Sequence, residues 1–147
     1  VISPQQEFVS TLIPMKTAML IGSGPALATT LVLFCSHFHQ VNEDAKNGKR
    51  SPLVILGTSK ASRIIPWIVS LIFTLEFIPI IFNIMPITSC LGMIALIPGL
   101  SLIKLLKRHH NKPYMIKNSK FIALRFQALN GLGISLGLIL GSLFIKN

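Results

Sequence analysis

Thr17–Phe38 reads TAMLIGSGPALATTLVLFCSHF, 22 residues without a charge. At 1.5 Å per residue, an α-helix of that length covers the roughly 30 Å of a bilayer's hydrocarbon core. Gly22, Gly24 and Pro25 sit early in the run; in lipid they permit close packing or a kink without forbidding the helix. Three more apolar runs follow: Ile64–Met85, with Pro66 in its first turn and a kink expected at Pro79; Ile87–Ile103, shorter and interrupted by Pro98 and Gly99; and Phe121–Ile145. The last carries Gly133, Gly137 and Gly141 four apart, which gives one smooth face suited to tight packing. The pattern predicts an all-α integral membrane protein of four transmembrane helices in two antiparallel hairpins, one membrane domain over residues 1–147.

The composition agrees. Charged residues make up 12% of the chain and hydrophobic ones 51%, with a mean hydropathy of +0.67, whereas a soluble domain carries about 25% charged residues. The net charge of +10 would suggest nucleic acid in a soluble protein. Here 11 of the 14 Lys and Arg fall in two stretches, 39–63 and 104–120, and the turn around Pro86 holds none. Four spans put both basic stretches on one side, and the positive-inside rule makes that side the cytoplasm or stroma. No nucleic-acid partner is expected; the lipid bilayer is.

Smaller features have bland readings. Cys35 and Cys90 lie in apolar runs, with no CxxC and no histidine at zinc-finger spacing, and read as small buried residues. Val1–Lys16 reads as a connection or the end of a preceding element, and Thr58 or Ser59 as a cap for the following helix. Trp67 suits an aromatic belt, Arg125 is shallow enough to snorkel, and His109 and His110 sit among lysines with no chemical role. No targeting segment is visible, and the polar opening at Val1 suggests part of a longer chain. Glu76 stands about 18 Å along the helix from Ile64, near mid-bilayer, where a carboxylate is a functional candidate without an assigned role.

The chemistry concentrates between the first two spans. Glu43 and Asp44 are adjacent at the foot of the first span, and Lys46, Lys49 and Arg50 follow within six residues. A carboxylate pair with a basic cluster at a membrane surface suits a magnesium diphosphate. An ordinary solvated charge pair is the bland alternative, and positive-inside anchoring alone explains Lys49 and Arg50. Gly48-Lys49 is no P-loop, because Glu43 stands where its first glycine would be and Arg50 replaces Ser or Thr. His37 and His39, two apart, do not share one helix face.

The stretch LFCSHFHQVNEDAKNGKRSPLVILGT, residues 33–58, resembles the second acidic motif of the UbiA superfamily of intramembrane prenyltransferases. It is most similar to the 1,4-dihydroxy-2-naphthoate prenyltransferases, the MenA family of cyanobacteria and plastids. A looser likeness continues to RFQALNGLG, residues 125–133. The resemblance implies a nine-helix bundle of which these spans are the C-terminal part, in a plastid (thylakoid or envelope) or cyanobacterial membrane. It implies prenyl transfer from a prenyl diphosphate to 1,4-dihydroxy-2-naphthoate with decarboxylation, in menaquinone or phylloquinone biosynthesis, with Mg2+ as cofactor.

By that resemblance Asp44 and Glu43 are the catalytic and metal-binding carboxylates, and Lys49, Arg50, Gln40 and His39 bind the diphosphate or substrate. Gln40 and Asn42 stand where many relatives are acidic, so this motif has fewer carboxylates than usual. The family's first acidic motif, NxxxDxxxxxxD, does not occur in the 147 residues, so this chain alone is expected to be inactive. The alternative from another class is a non-enzymatic membrane subunit or transporter piece with a charged cytoplasmic loop.

Overall fold

The computed structural model describes the backbone of residues 4–145 and the side chains of residues 14–144. Its order is α1 Pro4–Ser36, α2 Val41–Lys46, α3 Pro52–Leu56, α4 Thr58–Ile81, a 3-10 segment Ile87–Ala95, α5 Leu96–His109, α6 Pro113–Ile116 and α7 Ser119–Ile145. Four stretches are long and apolar enough to cross a membrane: Pro14–Ser36, Thr58–Ile81, Ile87–His109 and Pro113–Phe144. The helices outrun the charge-free runs at several ends. Helix geometry carries on into the headgroup region, where lysine and arginine are no longer costly. Val1–Lys16 is therefore no connection beyond Pro4: α1 already occupies it, while Val1–Ser3 and the side chain of Glu7 lie outside the described residues.

The core follows from helical spacing. Ala28, Leu31, Cys35 and Phe38 leave the first hairpin at steps of three and four, and Ala61, Ile65, Val69 and Ile72 do the same on α4. Leu102 and Leu106 of α5 and Ala123 and Phe126 of α7 close the cluster. Helix α1 packs on α4 and α7, and α5 packs on α7 and α4. The outward faces carry large apolar side chains such as Trp67, Ile97 and Phe144, each more than two-thirds exposed. On a soluble protein so much apolar surface would drive aggregation; in lipid it meets its solvent. Several hydroxyls on these faces return to their own helix, Thr29 to the Pro25 carbonyl and Thr74 to that of Ser70, which keeps those groups from facing the hydrocarbon unpaired. Both cysteines are free thiols.

Two close approaches organise the outer end. Helix α4 stops in a Schellman turn: Ile84 N–H donates to Pro79 C=O and Asn83 N–H to Ile80 C=O, with Asn83 at φ 55°. That left-handed position favours Gly and tolerates Asn. The chain then returns as the 3-10 segment, lying flat on the glycine face of α7. A Cβ on Gly133 would fall 2.5 Å from Leu91 O, and one on Gly137 would meet the backbone of Thr88 and Ser89. Thr88 Oγ1–H donates to Gly137 C=O. Neither Thr58 nor Ser59 caps α4, because Gly57 at φ 75° is the N-cap residue and there is no side-chain cap bond. Thr58 Oγ1 instead lies 3.2 Å from His110 Nδ1, tying the two basic connections together, so His110 has a structural partner that its sequence context did not suggest.

Candidate functional site

The stretch 37–57 is a folded lobe at the basic end of the bundle. Residues 37–40 form turns and α2 follows, with Asp44 N–H donating to Gln40 C=O. Gly48, at φ 69°, ends α2 in a second Schellman turn: Gly48 N–H donates to Ala45 C=O and Lys49 N–H to Asp44 C=O at 2.8 Å. Only a residue at ease with positive φ makes that reversal cheaply. Its effect is to fold Lys49 back over Asp44. Lys49 Nζ then lies 3.4 Å from Asp44 Oδ1, while His37 Nδ1–H donates to Asp44 Oδ2 across 3.3 Å. Ser51, in extended geometry, starts α3 ahead of Pro52 and brings its buried hydroxyl to the same carboxylate without closing a bond of good geometry.

Asp44 is 7% exposed, the one buried residue of α2. Burial by itself raises its carboxyl pKa; the Ser51 hydroxyl, His37 and Lys49 together outweigh it and hold the group below the usual aspartate range. Asp44 is thus a fixed, ionised carboxylate with lone pairs still open. Glu43 is exposed and Asp44 buried, so the adjacent carboxylates do not converge on one side. Arg50 is exposed, and among the described residues it enters no ion pair. Gln40 supplies its backbone to α2 and leaves its half-buried amide free of that duty.

His39 Nδ1 is buried and, among the described residues, without a hydrogen-bond partner. Burial, then the nearby Lys120, push its pKa down; Glu43 opposes this weakly. Of the residues singled out in the sequence, the fold brings together Asp44, Lys49 and His37, and leaves Glu43, Arg50, Gln40 and His39 around them. Ser51 was missed, although a serine before proline at a helix start is a recognisable signal.

Magnesium takes oxygen ligands, commonly one or two carboxylates completed by substrate phosphates and water. Asp44 fits one carboxylate place in such a partial shell, whereas Glu43, expected from the sequence to share the metal, is exposed beside it and does not converge on the same side. Among the described residues no three His, Cys, Asp or Glu side chains come together as a full metal site.

A second polar cluster lies within the spans. Glu76 of α4 is 8% exposed and Asn130 of α7 fully buried, and Asn130 Nδ2–H donates to Glu76 Oε2 at 3.0 Å. Gly24 of α1 makes room for the glutamate, since a Cβ there would come within 2.6 Å of Glu76 Cγ. The intramembrane carboxyl therefore pins three spans at one level. Its partner sits 54 residues away, which no local pattern reveals.

The chain is 34% identical over 127 residues to the chloroplastic 2-carboxy-1,4-naphthoquinone phytyltransferase of Arabidopsis thaliana, a match covering 86% of this chain and 32% of that protein. It is 32% identical over 111 residues to the 2-carboxy-1,4-naphthoquinone phytyltransferase of Synechocystis sp. (strain ATCC 27184 / PCC 6803 / Kazusa), covering 76% of this chain and 36% of that protein. The chain spans about a third of the length of these curated relatives. No family model and no solved structure matches it.

Proposed function

We propose, from the premise that this chain is a homologue of UbiA-type naphthoquinone phytyltransferases, that it forms the diphosphate-binding wall of a membrane prenyltransferase. The reaction transfers a prenyl group from its diphosphate to 1,4-dihydroxy-2-naphthoate in phylloquinone or menaquinone biosynthesis, in a plastid or cyanobacterial membrane. The observation that carries the reading is the buried, ionised Asp44 held between Lys49 and His37. Lobes that merely anchor a loop do not need a desolvated carboxylate at their centre.

In the chemistry proposed, the allylic C–O bond of the donor breaks and its electron pair leaves with the diphosphate. The electron-rich ring carbon then attacks the allylic carbon, and the ring carboxylate departs as CO2. Mg2+ held at Asp44 would supply the charge neutralisation that diphosphate departure requires. Lys49 and Arg50 add cationic hydrogen-bond donors beside it, and Lys49 is already oriented by the Schellman turn. The His39 imidazole and the Gln40 amide offer further hydrogen bonds to substrate oxygens. His37 holds Asp44 in its orientation.

The test is prenyl transfer by the protein at its full native length, with magnesium, a prenyl diphosphate and 1,4-dihydroxy-2-naphthoate. Asp44→Ala is expected to lower turnover by about a hundredfold to a thousandfold, on the order of a removed electrostatic stabiliser. Turnover equal to wild type in Asp44→Ala would remove the carboxylate assignment.

A further inference from the structure

Helices α5 and α7 leave an open groove between them whose two ends differ in character. The deeper part, about 560 Å3, is lined by Ile97, Pro98, Ser101, Ile122, Ala128 and Leu129, with Arg125 among them. It continues, through the shared Ser101 and Ile122, into a second space of about 330 Å3 bounded by Lys104, Arg108 and His109. The stretch from Ile97 to Arg108 rises about 16 Å, close to the half-thickness of a hydrocarbon core of roughly 30 Å. The groove is therefore one leaflet tall, apolar inside and basic at the surface.

Among the described residues its cations have no protein counter-ion. The ion pairs among the described residues are those of Asp44 with His37 and Lys49, and neither involves Lys104, Arg108 or Arg125. Four acids serve the whole chain, and Glu76 and Asp44 are committed elsewhere. At the same end, His109 Nδ1 is buried with no hydrogen-bond partner. Two cations and an unspent imidazole nitrogen above an apolar channel, with Arg125 lining the channel below them, are complementary to an anionic head on a hydrocarbon tail.

We propose that this groove binds an anionic phospholipid of the surrounding leaflet, its phosphate between Lys104 and Arg108 and one acyl chain along Ile97, Pro98 and Leu129. The ligand is a bilayer lipid and not the prenyl donor, because the basic end is built on α5 and α7 and includes none of Asp44, Lys49 or Arg50. Arg125, four residues into the apolar run, extends toward the same head and is neutralised there.

Native mass spectrometry of the full-length protein in mild detergent, titrated with phosphatidylglycerol or phosphatidylcholine, tests the proposal. Wild type is expected to retain phosphatidylglycerol preferentially. Lys104→Gln combined with Arg108→Gln should weaken that binding roughly thirtyfold, as expected for two cations at an anionic headgroup, with phosphatidylcholine unchanged. Lys107→Gln, on the same helix but outside the groove, should leave both lipids as in wild type. Equal loss in Lys107→Gln would mean diffuse surface charge and overturn the site. So would unchanged retention in the double variant, or no preference in wild type, as expected if another segment of the protein covers the groove. Displacement of the lipid by an equimolar prenyl diphosphate, with a raised KM for that donor in the double variant, would assign the groove to substrate and overturn it too.

Discussion

Gly137→Ala adds one methyl group at a point where the 3-10 segment lies directly on α7. The new Cβ would meet Ser89 Cα and Thr88 O. These are backbone atoms, which cannot rotate aside as a side-chain end would. Over-filling a packed interior costs about 1–3 kcal/mol. Pushing the segment away also stretches the bond from Thr88 Oγ1 to Gly137 C=O, worth about 1 kcal/mol. The expected loss is about 2–4 kcal/mol, or on the order of 5–15 °C in Tm at the 2–4 °C per kcal/mol usual for chains of this size. The same helix contains its own control. Gly131 has nothing within 4 Å of its would-be Cβ, so Gly131→Ala gains helix propensity of up to about 1 kcal/mol and meets no clash. The pair is read by thermal unfolding in detergent micelles. Equal Tm values for the two variants would refute the argument that the glycine face is there for contact.

Asn130→Ala removes the donor to Glu76 and leaves a buried carboxyl unpartnered, which should cost about 1–3 kcal/mol, whereas Glu76→Gln, read in the same melts, should lie closer to wild type because it keeps an oxygen for Asn130. The pH response of the 37–57 lobe follows from Asp44. Its folded pKa is depressed, so its contribution is fully present above the ordinary aspartate value and is lost as pH falls through the lower folded value. Protection of Lys49 N–H, measured relative to intrinsic exchange, should therefore be steady between neutral pH and about pH 5, fall in stronger acid, and lose that acid limb in Asp44→Asn.

The four spans were legible because a charge-free run long enough for the bilayer has few other uses, and the positions of Lys and Arg agree with it. The glycine face of α7 was legible for a similar reason: steps of four on a helix mark a single side. What partner that face would meet was not. The 3-10 winding of Ile87–Ala95 depends on contact with α7, and no local propensity encodes it. In the candidate site, the carboxylates and cations stood out by composition, while their geometry hung on Gly48. A glycine four residues after an aspartate says little until its positive φ is seen to carry Lys49 back across the helix end. The Glu76–Asn130 pair and the Thr58–His110 contact were out of reach because each joins residues more than fifty apart.

The tightly wound start of the third crossing changes how far the chain reaches. A 3-10 helix rises about 2.0 Å per residue against 1.5 Å for an α-helix. Ile87–Ala95 thus advances about 18 Å where ordinary winding would give about 13.5 Å, and α5 adds about 21 Å more. A segment whose charge-free part is only Ile87–Ile103 consequently clears the hydrocarbon with length in hand. The surplus lifts Lys104, Lys107 and Arg108 to the aqueous boundary. Winding, as much as residue count, sets the height at which this protein presents its charge.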